Sequence, residues 1–216
     1  MHSRQARLQP TTMMNKRIAI KMLASYAVLT VVTSLFSACT PQQAAFASVD
    51  ITGAEYAQRF ELTDHNGQVR HLSDFAGKVV VVFFGYTQCP DVCPTSMTEL
   101  AEVKRALGKD GDRLQGLFVT VDPQRDTPEL LKAYMANFDP TFLALYATPE
   151  KLVELAKEYK IYFKKVDGKS PTSYTMDHSA GSYVYDTKGQ LHLFTRYGMG
   201  PKGLTEDVRI LLKQGA

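Results

Sequence analysis

Val79-Val80-Val81-Val82-Phe83-Phe84-Gly85-Tyr86-Thr87-Gln88-Cys89-Pro90-Asp91-Val92-Cys93-Pro94 reads as a buried strand, a tight exit and the approach to a helix. β-Branched and aromatic residues ending in Gly85 have the composition of an interior strand. Thr95 to Leu107 then carries the spacing of an amphipathic helix, and Pro94 suits its first turn. Cys89 and Cys93 are the only cysteines besides Cys39. At helical spacing, residues four apart share one face, which brings two sulfurs together. Unpaired N–H groups at a helix N-terminus favour thiolate over thiol. The stretch predicts a close, readily ionised dithiol at the mouth of an α/β sheet.

Upstream lies what reads as a leader over residues 1–39. Lys16, Arg17 and Lys21 precede a 15-residue apolar stretch, Met22 to Phe36. Roughly 20 apolar residues are needed to cross a bilayer, so a signal sequence is the closer match. Leu35-Phe36-Ser37-Ala38-Cys39 resembles a bacterial lipobox and makes Cys39 a lipidation candidate. Cleavage at Ala45-Phe46-Ala47 and an uncleaved anchor helix are the alternatives, and Met14 is a second candidate start. Residues 40–54, rich in Pro, Gln, Ala and Ser, read as a flexible linker. Residues 55–216 then suffice for one domain with a proper core. The expected setting is the cell envelope, with the domain facing the periplasm.

The chain of 216 residues has a formal net charge of +3, but the leader carries the excess. Residues 1–38 hold five of the 25 basic side chains and no acid, leaving 20 basic against 22 acidic, a formal charge of −2. No basic patch remains to grip a phosphate backbone, so nucleic acid is not an expected partner. Export would place the dithiol in an oxidising compartment, where a reduced pair needs a dedicated role.

Phe60–Asp64 and Gln68–Leu72 alternate apolar and polar around an Asn66-Gly67 hairpin signal. Gly116–Val121 reads as a second buried strand. Asp126-Thr127-Pro128 and Thr148-Pro149 open two helices, with Asp126 or Thr127 as the first cap. Ile161–Val166 is strand-like, Ser182–Asp186 and Gln190–Thr195 form a hairpin, and Leu204–Lys213 closes as a helix. This order predicts a mixed central sheet with helices on both faces and an N-terminal β-hairpin, an α/β architecture similar to the thioredoxin-like fold. The dithiol falls at a strand-to-helix turn, a usual place for ligand chemistry in open sheets.

Cys89 and Cys93 support two chemistries, a redox pair or two soft metal ligands. A purely stabilising disulfide is the bland alternative, and so small a loop restrains the unfolded chain little. His178, in Tyr174-Thr175-Met176-Asp177-His178-Ser179 ahead of an apolar strand, is the candidate third donor from a loop. Two thiolates and a neutral imidazole suit trigonal Cu(I), and an added oxygen would complete a Cu(II) site. Zinc accepts the same donors, but structural zinc normally takes four. Asp177 is placed to orient the ring. His65, His71 and His192 lie on hairpins and default to solvent.

Cys89-Pro90-Asp91-Val92-Cys93-Pro94, Val121-Asp122-Pro123-Gln124-Arg125-Asp126-Thr127-Pro128 and Asp177-His178-Ser179, with Phe83–Thr87 before them, closely resemble the signature segments of the Sco/SenC family. The resemblance runs from about Phe60 to Leu212. It implies a membrane-tethered, thioredoxin-like copper protein in which Cys89, Cys93 and His178 are the copper ligands. It also implies a client, the binuclear copper centre of cytochrome c oxidase subunit II or another copper protein, and leaves room for an upstream copper donor. A thiol–disulfide reductase keeping the client's cysteines reduced is the main alternative; peroxide reduction and copper buffering are weaker ones. The Asp122–Pro128 segment reads as a strand-exit turn and helix cap, or as a carboxylate near the copper site or a docking surface whose Arg125 pairs with a partner.

Overall fold

The computed structural model describes residues 45–170 and 173–215. The predicted leader, Cys39 and the first part of the linker lie outside the described residues. The strands are β1 (Val49–Asp50), β2 (Glu61–Asp64), β3 (Val69–His71), β4 (Val79–Gly85) and β5 (Leu114–Thr120). They continue with β6 (Leu143–Tyr146), β7 (Phe163–Asp167), β8 (Tyr174–His178), β9 (Ser182–Tyr185) and β10 (Leu191–Thr195). The α-helices are α1 (Val92–Ala106), α2 (Pro128–Met135), α3 (Pro149–Glu158) and α4 (Pro201–Gln214).

Among the described residues, eight strands form one mixed sheet in the order β1-β10-β9-β4-β5-β6-β2-β3, and β7 pairs only with β8. β4 and β5 run parallel in unbroken register from Val79↔Leu114 to Gly85↔Thr120. Every residue of both strands is buried, which explains their continuous apolar character: strands covered on both faces need no polar alternation. Phe83 and Phe118 pack side by side, and Phe118 meets Tyr134 of α2. On the opposite face Phe84 meets Tyr159, just past α3, at 5.1 Å between ring centroids. Helices thus cover both faces of a thioredoxin-like sheet, as expected.

The N-terminal hairpin turns where Asn66-Gly67 predicts it, with Gly67 at φ +81, a conformation glycine adopts without strain. Thr127 and Thr148 cap α2 and α3, their hydroxyls accepting from the N–H groups of Leu130 and Lys151, both at 3.3 Å. Asp126 is therefore not the cap; it is buried and turned inward. The folded body also begins inside the stretch read as linker. β1 pairs with β10, and the Asp207 carboxylate accepts from the N–H groups of Ala47 (2.7 Å) and Ser48 (2.9 Å). α4 starts at Pro201 rather than Leu204, because Pro201 occupies its first turn.

Candidate metal centre

β4 ends at Gly85, and Tyr86–Gln88 turns the chain so that Cys89 N–H donates to the Tyr86 carbonyl at 3.3 Å. Helix α1 begins only at Val92, with Asp91 as N-cap. Cys93 therefore lies in the first helical turn, whereas Cys89 belongs to the preceding loop. The two sulfurs meet because the loop folds back, not because both residues share a helical face. Cys93 is fully buried and Cys89 half-buried, both as free thiols. A Cβ at Gly85 would stand 2.8 Å from the Cys93 sulfur and 2.8 Å from Phe83. The glycine makes room for that sulfur.

His178 ends β8, with its side chain directed at Cys93: Nε2 stands 3.5 Å from Sγ. It sits on a strand of a separate hairpin, not on the loop expected. Ser179's carbonyl, 2.9 Å from Nδ1, can only accept, so Nδ1 carries the proton and Nε2 keeps its lone pair toward the sulfur. The ring is held edge-on against Phe83 and Tyr86, at 6.2 and 5.9 Å between centroids. Burial lowers the imidazole pKa and keeps the ring neutral, although the Ser179 hydrogen bond and Asp177 oppose it. Asp177 itself is exposed and accepts no bond from the ring; the Ser179 carbonyl takes the orienting role expected of it.

The Cys89 and Cys93 sulfurs and a His178 ring nitrogen all lie within 4.8 Å of one another. Two sulfurs and one imidazole lone pair are a soft set that fits Cu(I), which accepts three ligands in a plane. Zinc would need a fourth donor for a closed structural site. Contrary to the expectation of an easily ionised pair, burial pushes the Cys93 thiol well above its ordinary pKa, and the nearby Cys89 and Asp126 push it further. Desolvation outweighs the helix N-terminus here, so this thiol loses its proton only to a strongly bound cation.

The segment after β5 supports the site from behind. Asp126, 2 % exposed, accepts from the Thr87 hydroxyl (2.6 Å), the Thr87 N–H (3.1 Å) and the Thr120 hydroxyl (2.6 Å). It thereby braces the loop that carries Cys89. Arg125 is not held out for a partner. Its Nε pairs with Asp122, and its Nη1 donates to Gln88 and to the Tyr174 carbonyl. Tyr134 belongs to no motif of the sequence; its buried hydroxyl has no partner among the described residues, and burial together with both cysteines raises its pKa. Only its place one helix beyond the motifs could have flagged it. Of the histidines assigned to solvent, His65 accepts from Ala144 N–H at 3.1 Å, and His192 lies 3.3 Å from Asp186.

Residues 48–213 match the family described as SCO1/SenC. The chain is 30% identical over 178 residues to an SCO2-like protein of Rickettsia felis, covering 81% of this chain and 87% of that one. Among solved structures it is similar to Bradyrhizobium japonicum ScoI with copper bound, at TM-score 0.65 and 40% identity, over 71% of this chain and 97% of the other. Yeast Sco1 with copper bound aligns at TM-score 0.65 and 31% identity, over 72% and 87%.

Proposed function

The chain belongs to the SCO1/SenC family, and from that premise we propose that it is a copper metallochaperone tethered to a membrane and facing the periplasm. Copper is its cargo, held by Cys89, Cys93 and His178. The observation that carries this reading is the convergence of three soft donors within 4.8 Å, with the imidazole lone pair already turned inward. The copper-bound relatives support it. Uptake displaces the Cys93 proton, and a neutral His178 adds its lone pair without a proton to lose. Three ligands leave copper open to an entering donor, so cargo passes to a client before all its bonds here are broken. The proposed client is the binuclear centre of cytochrome c oxidase subunit II. Cys39, as a lipidated residue, would supply the tether.

The reductase alternative draws on the same two thiols. It would need the half-buried Cys89 as the attacking sulfur, because burial holds Cys93 protonated and the thiolate is the nucleophile. Titrating the purified full chain with Cu(I), beside Cys89→Ala, Cys93→Ala and His178→Ala variants, tests the proposal. Each substitution is expected to weaken binding. Unchanged affinity in His178→Ala, with loss in the cysteine variants, would contradict the three-donor site. In cells, oxidase copper content restored by His178→Ala but by neither cysteine variant would favour the reductase.

A further inference from the structure

Among the described residues, β7 and β8 pair with each other and with no strand of the main sheet. A lone two-stranded hairpin is at best marginally stable in water, so contacts to the body must hold β8 and its terminal His178. Side chains alternate along a strand. Accordingly Tyr174, Met176 and His178 turn inward, while Thr175 and Asp177 are exposed. Met176 is buried and the His178 ring lies against Cys93. At the other end, the Tyr174 hydroxyl donates to Asp122 at 2.9 Å. The Arg125 guanidinium carbon lies over the Tyr174 ring, 3.5 Å from its centroid, while Nη1 donates to the Tyr174 carbonyl at 2.9 Å.

The same Nη1 donates to the Gln88 side chain at 3.1 Å, one residue before Cys89. Asp122, 3 % exposed, fixes the guanidinium through Nε. A single half-buried cation therefore ties the loop bearing one sulfur to the strand bearing the imidazole. We propose that Arg125, held by Asp122, is a positioning residue that latches the β7–β8 hairpin closed and sets His178 against the cysteines. This deepens the copper-site reading and rests on it. Planar stacking and a two-sided fork are properties of arginine that lysine does not reproduce, so Arg125→Lys should release the latch while keeping the charge. Once released, Tyr174 no longer restrains the strand, and His178 is the first donor to leave.

Two measurements on the full chain test the latch. The first needs no metal: diethyl pyrocarbonate modification of His178, followed by peptide mass spectrometry. Arg125→Ala and Arg125→Lys are expected to raise the His178 rate several-fold and leave His65 unchanged, because only the hairpin opens. The second is a double-mutant cycle read by chelator competition for Cu(I). Arg125→Ala is expected to weaken retention about tenfold with His178 present, and to have little effect in the His178→Ala background. Tyr174→Phe removes only the hydroxyl bond and should fall between; with Arg125→Lys it carries the test if Arg125→Ala does not fold. Unchanged His178 reactivity, or equal copper loss in both backgrounds, overturns the latch. A wild-type chain that binds no copper sinks the metallochaperone reading, and the modification rates still decide the latch.

Discussion

The Nδ1 of His178 stands 2.9 Å from the carbonyl oxygen of Ser179, and that contact fixes which nitrogen faces the sulfurs. A backbone acceptor cannot be removed by changing a side chain. Asp177→Asn is therefore expected to leave Cu(I) affinity within about threefold of wild type, the scale of an exposed charge interaction. His178→Ala, in contrast, should lose at least about tenfold. Chelator competition on both variants checks the contrast; a large loss in Asp177→Asn would return the orienting role to the carboxylate.

Gly85→Ala puts a methyl group 2.8 Å from the Cys93 sulfur and 2.9 Å from Phe118, at the end of a strand without free space. Overpacking of this kind costs about 1–3 kcal/mol. The sulfur, lying nearest the site, should shift with it. Urea unfolding is expected to show the lower stability and Cu(I) competition a weaker site. Loss of stability with untouched copper affinity would mean that the methyl is absorbed on the phenylalanine side.

Two buried carboxylates should respond oppositely to acid. Burial would raise the Asp64 pKa, but N–H donors from Gln68 and Asn66 and the Arg70 guanidinium outweigh it, so the pKa is lowered. A depressed folded pKa gives stability that is present above the unfolded value and lost as pH falls through the folded one. Asp64→Asn should then destabilise by about 2 kcal/mol at neutral pH and by far less in acid. For Asp126, burial dominates and raises the pKa despite hydrogen bonds from Thr120 and Thr87. That contribution is fully present below the unfolded value and fades as pH rises through the folded one. Denaturant midpoints for the wild type, Asp64→Asn and Asp126→Asn across pH 3 to 8 would reveal the two signs; parallel curves would refute both.

Acid should compete with copper. The Cys93 thiol is held protonated by burial, whereas burial keeps His178 neutral. Binding must therefore release at least one proton at neutral pH, and Cu(I) affinity should fall about tenfold per unit of acidification for each proton displaced. Proton release measured beside the titration checks this. Affinity independent of pH would mean that Cys93 is not a ligand.

Where one local pattern suffices, sequence and structure agree. The valine and phenylalanine run of β4 needs burial on both faces, and Asn66-Gly67 needs a tight turn. Thr127-Pro128 and Thr148-Pro149 start helices through chemistry carried in two residues. β1 and β6 are short and lack the hairpin turn signals that mark β2, β3 and β9; long-range pairing with β10 and β5 creates them. β8 did carry a signal, since Tyr174, Met176 and His178 alternate with Thr175 and Asp177, but its polar members looked like loop. Asp126 and Thr127 are both good caps, and only the positions of Thr87 and Thr120 decide that Asp126 turns inward. Cys89, Cys93 and His178 are legible as motifs. Their convergence depends on the fold, as does the raised pKa of Cys93, which reflects burial that no helix N-terminus could offset.

The most direct test of the central claim is X-ray absorption at the copper edge of the full chain loaded with one equivalent of Cu(I). The account predicts two sulfur scatterers and one imidazole nitrogen per copper, the nitrogen vanishing in His178→Ala. A site with two sulfurs and no nitrogen, identical in wild type and His178→Ala, would contradict it.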